Sequence, residues 1–167
     1  MISLEKLNND GFTLIETIVA VGIIAMGFVA VLVLITTSVF YISNIQNRLI
    51  AANLAAEGIE VVRNIRDNNW LQNKAWNSDL TDGNYQVAYN SAPPLASYNS
   101  GSFLLLDSNT GFYSYIPGGV STPYIRKISI THIPGSDYEI QVISTVIWQI
   151  RNITYTSSAE DHLFNWK

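Results

Sequence analysis

From Ile18 to Ile35 the chain contains nothing but Ala, Val, Gly, Ile, Met, Phe and Leu, and no Asp, Glu, Lys, Arg or His stands between Thr17 and Asn47. A helix rises about 1.5 Å per residue and needs about 20 apolar residues to cross the hydrocarbon layer of a bilayer. This run, with Thr36, Thr37 and Ser38 at its far end, is long enough to span. A helix apolar on every face needs either lipid or a much larger protein around it, and 167 residues do not supply the latter. A secretory signal fits less well, because its apolar region should be about 7 to 15 residues long and end at a small-residue cleavage site. The composition agrees: 48% of residues are hydrophobic and only 13% charged, which excludes a disordered chain. Nine Lys and Arg against 13 Asp and Glu give a net charge of −4, so no nucleic-acid partner is expected. Without cysteine the chain has no disulfide, thiolate metal site or thiol nucleophile.

Ahead of the run lie a polar leader, Met1 to Asp10, and the stretch Gly11-Phe12-Thr13-Leu14-Ile15-Glu16. Glu16 is the odd member. A carboxylate costs about 2.5 to 3.5 kcal/mol at the centre of a membrane helix and less near an end, where the positive end of the helix dipole favours it. Such a residue usually has a partner. Gly11 to Glu16 followed by an apolar helix resembles the processing site of type IV pilins and of the pseudopilins of type II secretion. The resemblance implies that a prepilin peptidase cuts between Gly11 and Phe12 on the cytoplasmic side and methylates the new amino terminus at Phe12. It also implies that Glu16 neutralises the amino terminus of a neighbouring subunit during assembly, which gives the carboxylate its counter-ion. Glycine suits the cut because, lacking a Cβ, it lies close and extended in a protease cleft. The leader departs from the family pattern in carrying Lys6 against Glu5 and Asp10, a weak positive-inside signal.

Beyond the span the pattern becomes amphipathic from Gln46 to Asp67, with Ile50, Leu54, Gly58, Val61 and Ile65 on one face. Glu60 with Arg63, and Arg63 with Asp67, stand at i,i+3 and i,i+4 spacing on the other. One helix from Phe12 to about Asp67 is expected, stopped by Asn68 and Asn69. Glu57 and Glu60 read as solvated or domain-facing charges. The words from Ala55 to Glu60 and from Val62 to Asp67 also look like the second helical half of minor pilins, and the ending from Trp148 to Trp166 resembles their tail.

After Trp76 the chain turns to tyrosine, β-branched residues and turn formers. Tyr85, Val87 and Tyr89 alternate; Phe103 to Leu106 and Phe112 to Ile116 flank a hairpin-like turn; Pro93-Pro94 marks a loop. The clearest strands are Ile125 to Ile133 and Tyr138 to Trp148, separated by Pro134 to Asp137, with Ile140, Val142, Val146 and Trp148 on one face. The fold class is therefore α+β and pilin-like: a very long N-terminal helix, membrane-embedded in its first half and amphipathic in its second, packed on a C-terminal antiparallel sheet. The segments read as a leader over 1–11, an assembly half over 12–40, an amphipathic half over 41–69 and a β domain over 70–167.

The sequence is nearly empty of enzyme chemistry, and no catalysis is expected. There is no Gly-rich phosphate loop, HExxH, GxSxG or CxxC pattern, and His132 and His162 read as structural or surface residues. Asp79, Asp82 and Asp107 lack the spacing of a calcium loop, so no metal and no cofactor is expected. Three readings follow. The favoured one is a structural minor pilin or pseudopilin, held in the cytoplasmic membrane with its amino terminus inside and then assembled into an extracytoplasmic filament. Its partners by resemblance are other pilin or pseudopilin subunits, prepilin peptidase, the membrane, an assembly platform protein and, indirectly, an assembly ATPase. The second is a fibre-tip subunit recognising a surface, a secreted protein or DNA through the loops from Ala92 to Ser102 and Ile116 to Pro123. The third is an uncleaved single-pass membrane protein with a ligand-binding outer domain.

Overall fold

The computed structural model describes residues 11–166; the leader over residues 1–10 lies outside the described residues. One helix, α1, runs over Leu14–Leu71. Its strands are β1 (Gly83–Gln86), β2 (Ala96–Ser97), β3 (Leu105–Leu106), β4 (Tyr113–Ser114), β5 (Val120–Ser121), β6 (Ile125–His132), β7 (Glu139–Ile150) and β8 (Ile153–Phe164). Five form an antiparallel sheet in the order β2-β1-β6-β7-β8, and three short ones form a second sheet in the order β4-β3-β5. The α+β arrangement of a long helix on antiparallel sheet is thus present.

Contacts divide the chain into two units, one ending at Ile45 and one covering Gln46–Lys167. In the first unit the helix exposes all of its large hydrophobic side chains except Phe40, which is half-buried. By length and composition it can cross a membrane. Thr36 and Thr37 return their hydroxyls to the carbonyls of Leu32, Val33 and Leu34 at 2.9–3.1 Å, so neither polar group is left unpaired in an apolar setting.

In the second unit the helix packs on the five-stranded sheet. Ala51, Leu54, Ala55, Gly58, Ile59, Val62 and Ile65 are buried, whereas Ile50 and Val61, expected on that face, are half-buried. The covered stripe is wider than the single row of expected positions, as a helix lying flat on a sheet requires. Ile59, Val62 and Ile65 join Trp76, Leu80, Val87, Ile128, Ile130, Ile140, Val142 and Leu163 in one cluster. Ala51, Leu54 and Ala55 join Leu104, Tyr124, Val146 and Trp148 in another. Each buried aliphatic side chain contributes about 1.5 to 3 kcal/mol. Between the clusters Gly58 crosses the sheet so closely that a Cβ there would lie 2.5 Å from Ser144 Oγ and 2.7 Å from Ile128 Cδ1. Ser144 is the small member of an inward row otherwise made of Ile140, Val142, Val146 and Trp148.

The helix ends later than expected. Asn69 does not stop it; its amide donates to the carbonyls of Trp76 and Ser78 and organises the following loop. The stop is Asn73, at φ 56°, with Asn73 N–H donating to Trp70 O and Lys74 N–H to Asn69 O, which is the paired pattern of a Schellman ending. Arg63 pairs with Glu60 and with Asp161 on β8 at 2.7 Å rather than with Asp67, which Arg66 takes. The Asp161 carboxylate raises the Arg63 pKa above its ordinary value. The expected alternation through Tyr89 breaks at Gln86, where β1 ends; Val87 is buried and Tyr89 exposed. β8 was not foreseen as a strand. It pairs with β7 along 12 residues through a two-residue turn, Arg151-Asn152, both at positive φ as a type I′ turn demands.

Candidate functional site

Gly11 and Phe12 precede the helix and are exposed, Phe12 at 81%. Thr13 closes the helix start. Its Oγ1 accepts the backbone N–H of Glu16 at 3.3 Å, and its carbonyl accepts from Thr17 N–H at 3.2 Å, the first full helical bond. Thr13 is therefore the N-cap and Glu16 the third helical residue, the T-x-x-E spacing of a capping box. The helix begins at Leu14 rather than at Phe12 for this reason. A carboxylate at that position faces the unpaired N–H groups and positive end of the dipole, which lowers the cost of carrying charge beside an apolar run. Thr13 escaped notice in the sequence, although its distance from Glu16 was a readable signal.

The three expected residues, Gly11, Phe12 and Glu16, thus lie within six positions at the exposed start of one helix, ahead of an apolar surface that nothing in its own unit covers. A prokaryotic N-terminal methylation motif matches residues 6–32, which takes in all three residues and most of the apolar run. Its amino-terminal segment is therefore similar to that of type IV pilins and pseudopilins. The motif implies processing by a prepilin peptidase, contact with other pilin subunits and a membrane-anchored precursor. No curated protein and no solved structure matches the chain.

In the sheet unit the most deeply buried charge among the described residues is Arg126 on β6, which sequence reading missed. Its guanidinium is fully buried and donates to Val87 O at 2.7 Å, to Leu54 O of the helix at 2.8 Å and to Glu57 Oε1 at 3.2 Å. Glu57 is thus domain-facing, and Glu60 stays in solvent beside Arg63. The cluster ties helix, sheet and the loop after β1 to one another. The histidines sit against carboxylates: His132 Nδ1 lies 2.6 Å from Asp82 and His162 Nδ1 2.5 Å from Glu139. The His132 bonds lower the Asp82 pKa, and the Glu139 bond raises that of His162. Asp107 holds its own turn through Asn109 N–H and Thr110 Oγ1, with its pKa lowered by that backbone bond first. Asp79, Asp82 and Asp107 therefore occupy separate turns. The Tyr124 hydroxyl donates to Asn47 Oδ1 at 2.8 Å and is pushed up to about 12, by burial first and by Tyr113 second.

Proposed function

We propose that the chain is a minor pilin or pseudopilin: a structural subunit, without catalysis of its own, that is cut between Gly11 and Phe12, methylated at Phe12 and built into a filament through its apolar helix. The observation that carries this reading is the juxtaposition at the helix start. A glycine-phenylalanine bond stands exposed ahead of the cap, and a carboxylate follows at the third helical residue of an uncovered apolar rod. Cutting that bond creates a cation at Phe12, and Glu16 of an adjacent subunit supplies the anion. A desolvated charge without a partner is strongly unfavourable, so the pair selects the axial register in which the two meet. Assembly then exchanges lipid contacts for helix contacts. The platform protein and ATPase drive the exchange from the membrane and the cytoplasm, while this subunit supplies shape and one charge pair.

The test is a pair of substitutions in the native host. Gly11→Leu leaves the full-length precursor in the membrane, seen as a slower band on an immunoblot of membrane fractions; normal processing of that variant overturns the cleavage site. Glu16→Val is processed as in the wild type and is lost from sheared filaments; wild-type incorporation overturns the charge pair.

A further inference from the structure

The β7–β8 hairpin closes on a turn of unusual composition. Arg151 stands at φ 48° and Asn152 at φ 65°. Asn adopts that left-handed region readily, whereas a long side chain at the first position is strained by its Cβ, and Asn-Gly or Asp-Gly would be the relaxed choice. Asn152-Ile153-Thr154 reads N-x-T and is the one such tripeptide in the sequence. All three residues are exposed, Ile153 at 57%. The Asn152 side chain makes no hydrogen bond among the described residues, and the Thr154 hydroxyl accepts a single one, from Gln149 Nε2 at 3.2 Å. β8 is an edge strand that pairs with β7 alone, so lifting its first residues breaks one ladder and no packed core.

We propose that Asn152 is an N-glycosylation site, taking an oligosaccharide from a lipid-diphosphate donor on the outer face of the cytoplasmic membrane. This rests on the pilin-like orientation above, which puts Gln46 and the residues after it on that side. In the transfer the Asn152 amide nitrogen attacks the anomeric carbon of the first sugar. The C–N bond forms as the C–O bond to the diphosphate breaks; the lipid diphosphate leaves with the electron pair, and the amide proton passes to a base of the transferase. The hydroxyl of Thr154 is the recognition handle two residues on. The strained turn and the open edge let Asn152 to Thr154 leave the hairpin for an enzyme cleft, and the exposed tip then carries the bulky sugar without displacing any buried side chain.

The experiment uses the full chain purified from membranes and filaments of the native host and digested with trypsin, which frees the peptide from Asn152 to Lys167. Its expected mass exceeds that of the bare peptide by one oligosaccharide, with fragment ions placing the sugar on Asn152. Thr154→Ser keeps the added mass, and Thr154→Ala and Asn152→Gln lose it. A bare peptide from the wild type, or added mass that survives in Thr154→Ala, overturns the proposal. The amino-terminal peptide in the same digest reports cleavage at Phe12 separately. A missing sugar on a processed chain therefore refutes this inference alone, and an unprocessed terminus refutes the pilin reading.

Discussion

The two stretches of α1 share a backbone and differ in what covers them. Every Ile, Leu, Val and Met from Leu14 to Leu49 is at least half exposed, whereas Leu54, Ile59, Val62 and Ile65 are at most 5% exposed. Helix propensity does not account for this, since both stretches are helical. The second stretch has a sheet built to meet it, with inward rows from β6 and β7. The first has no cover in its own unit, and a helix of that apolarity in water would aggregate. On the reading proposed above, its cover comes from lipid and then from other subunits, and the residues assigned to processing and assembly sit at its start. Apolar surface satisfied inside the chain makes a domain; the same kind of surface left open makes an anchor and an interface.

The largest break in that comparison is to separate the two stretches. The fragment Gln46–Lys167 is expected to stay in the soluble fraction with a cooperative unfolding transition, while the full chain pellets with membranes. Aggregation of the fragment would show that the covered stretch depends on the uncovered one. Next comes Arg126→Ala, which strands Glu57 and two carbonyls. Glu57 stays partly in water, so the main cost is the two buried carbonyls left without their donor, about 1 to 3 kcal/mol each, read as a shift of the urea midpoint of the full chain in detergent, and membrane association is unchanged. Gly58→Val forces the helix off Ser144 and Ile128 and costs about 1 to 3 kcal/mol by overpacking. Gly58→Ala lies near neutral, because a helix-propensity gain of about 1 kcal/mol offsets a clash that the Ser144 and Ile128 side-chain ends can rotate to relieve.

The smallest effect is at His162. The Glu139 hydrogen bond, with help from Glu160, raises its pKa above 6.5 in the folded state. Its favourable contribution is therefore complete below that unfolded value and is lost as pH rises through the higher folded one. Stability of the wild type should fall slightly more between pH 6 and pH 8 than that of His162→Gln, measured by urea titration at each pH; parallel curves would refute the pairing.

The apolar run, the motif at Gly11 to Glu16 and the strands β6 and β7 were legible because each is a local pattern: unbroken apolarity, a fixed spacing, a two-residue alternation. β8 was not, because an edge strand reading ITYTSSAEDHLF needs little apolar surface, and its turn is Arg-Asn rather than Asn-Gly. Arg126 was hidden for a related reason. A charge in an alternating row reads as solvent-facing until a helix carbonyl 72 residues away and a carboxylate 69 residues away are brought to it. The helix end was misplaced because any of several asparagines from Asn68 to Asn73 could stop a helix, and only the backbone shows that Asn73 takes the left-handed position.

The account rests on a cation created at Phe12 to meet Glu16. Intact-mass measurement of the chain recovered from assembled filaments tests it most directly. The mature protein should begin at Phe12 and carry one methyl group on its amino nitrogen, whereas filaments built from chains that still retain Met1 to Gly11 would contradict it.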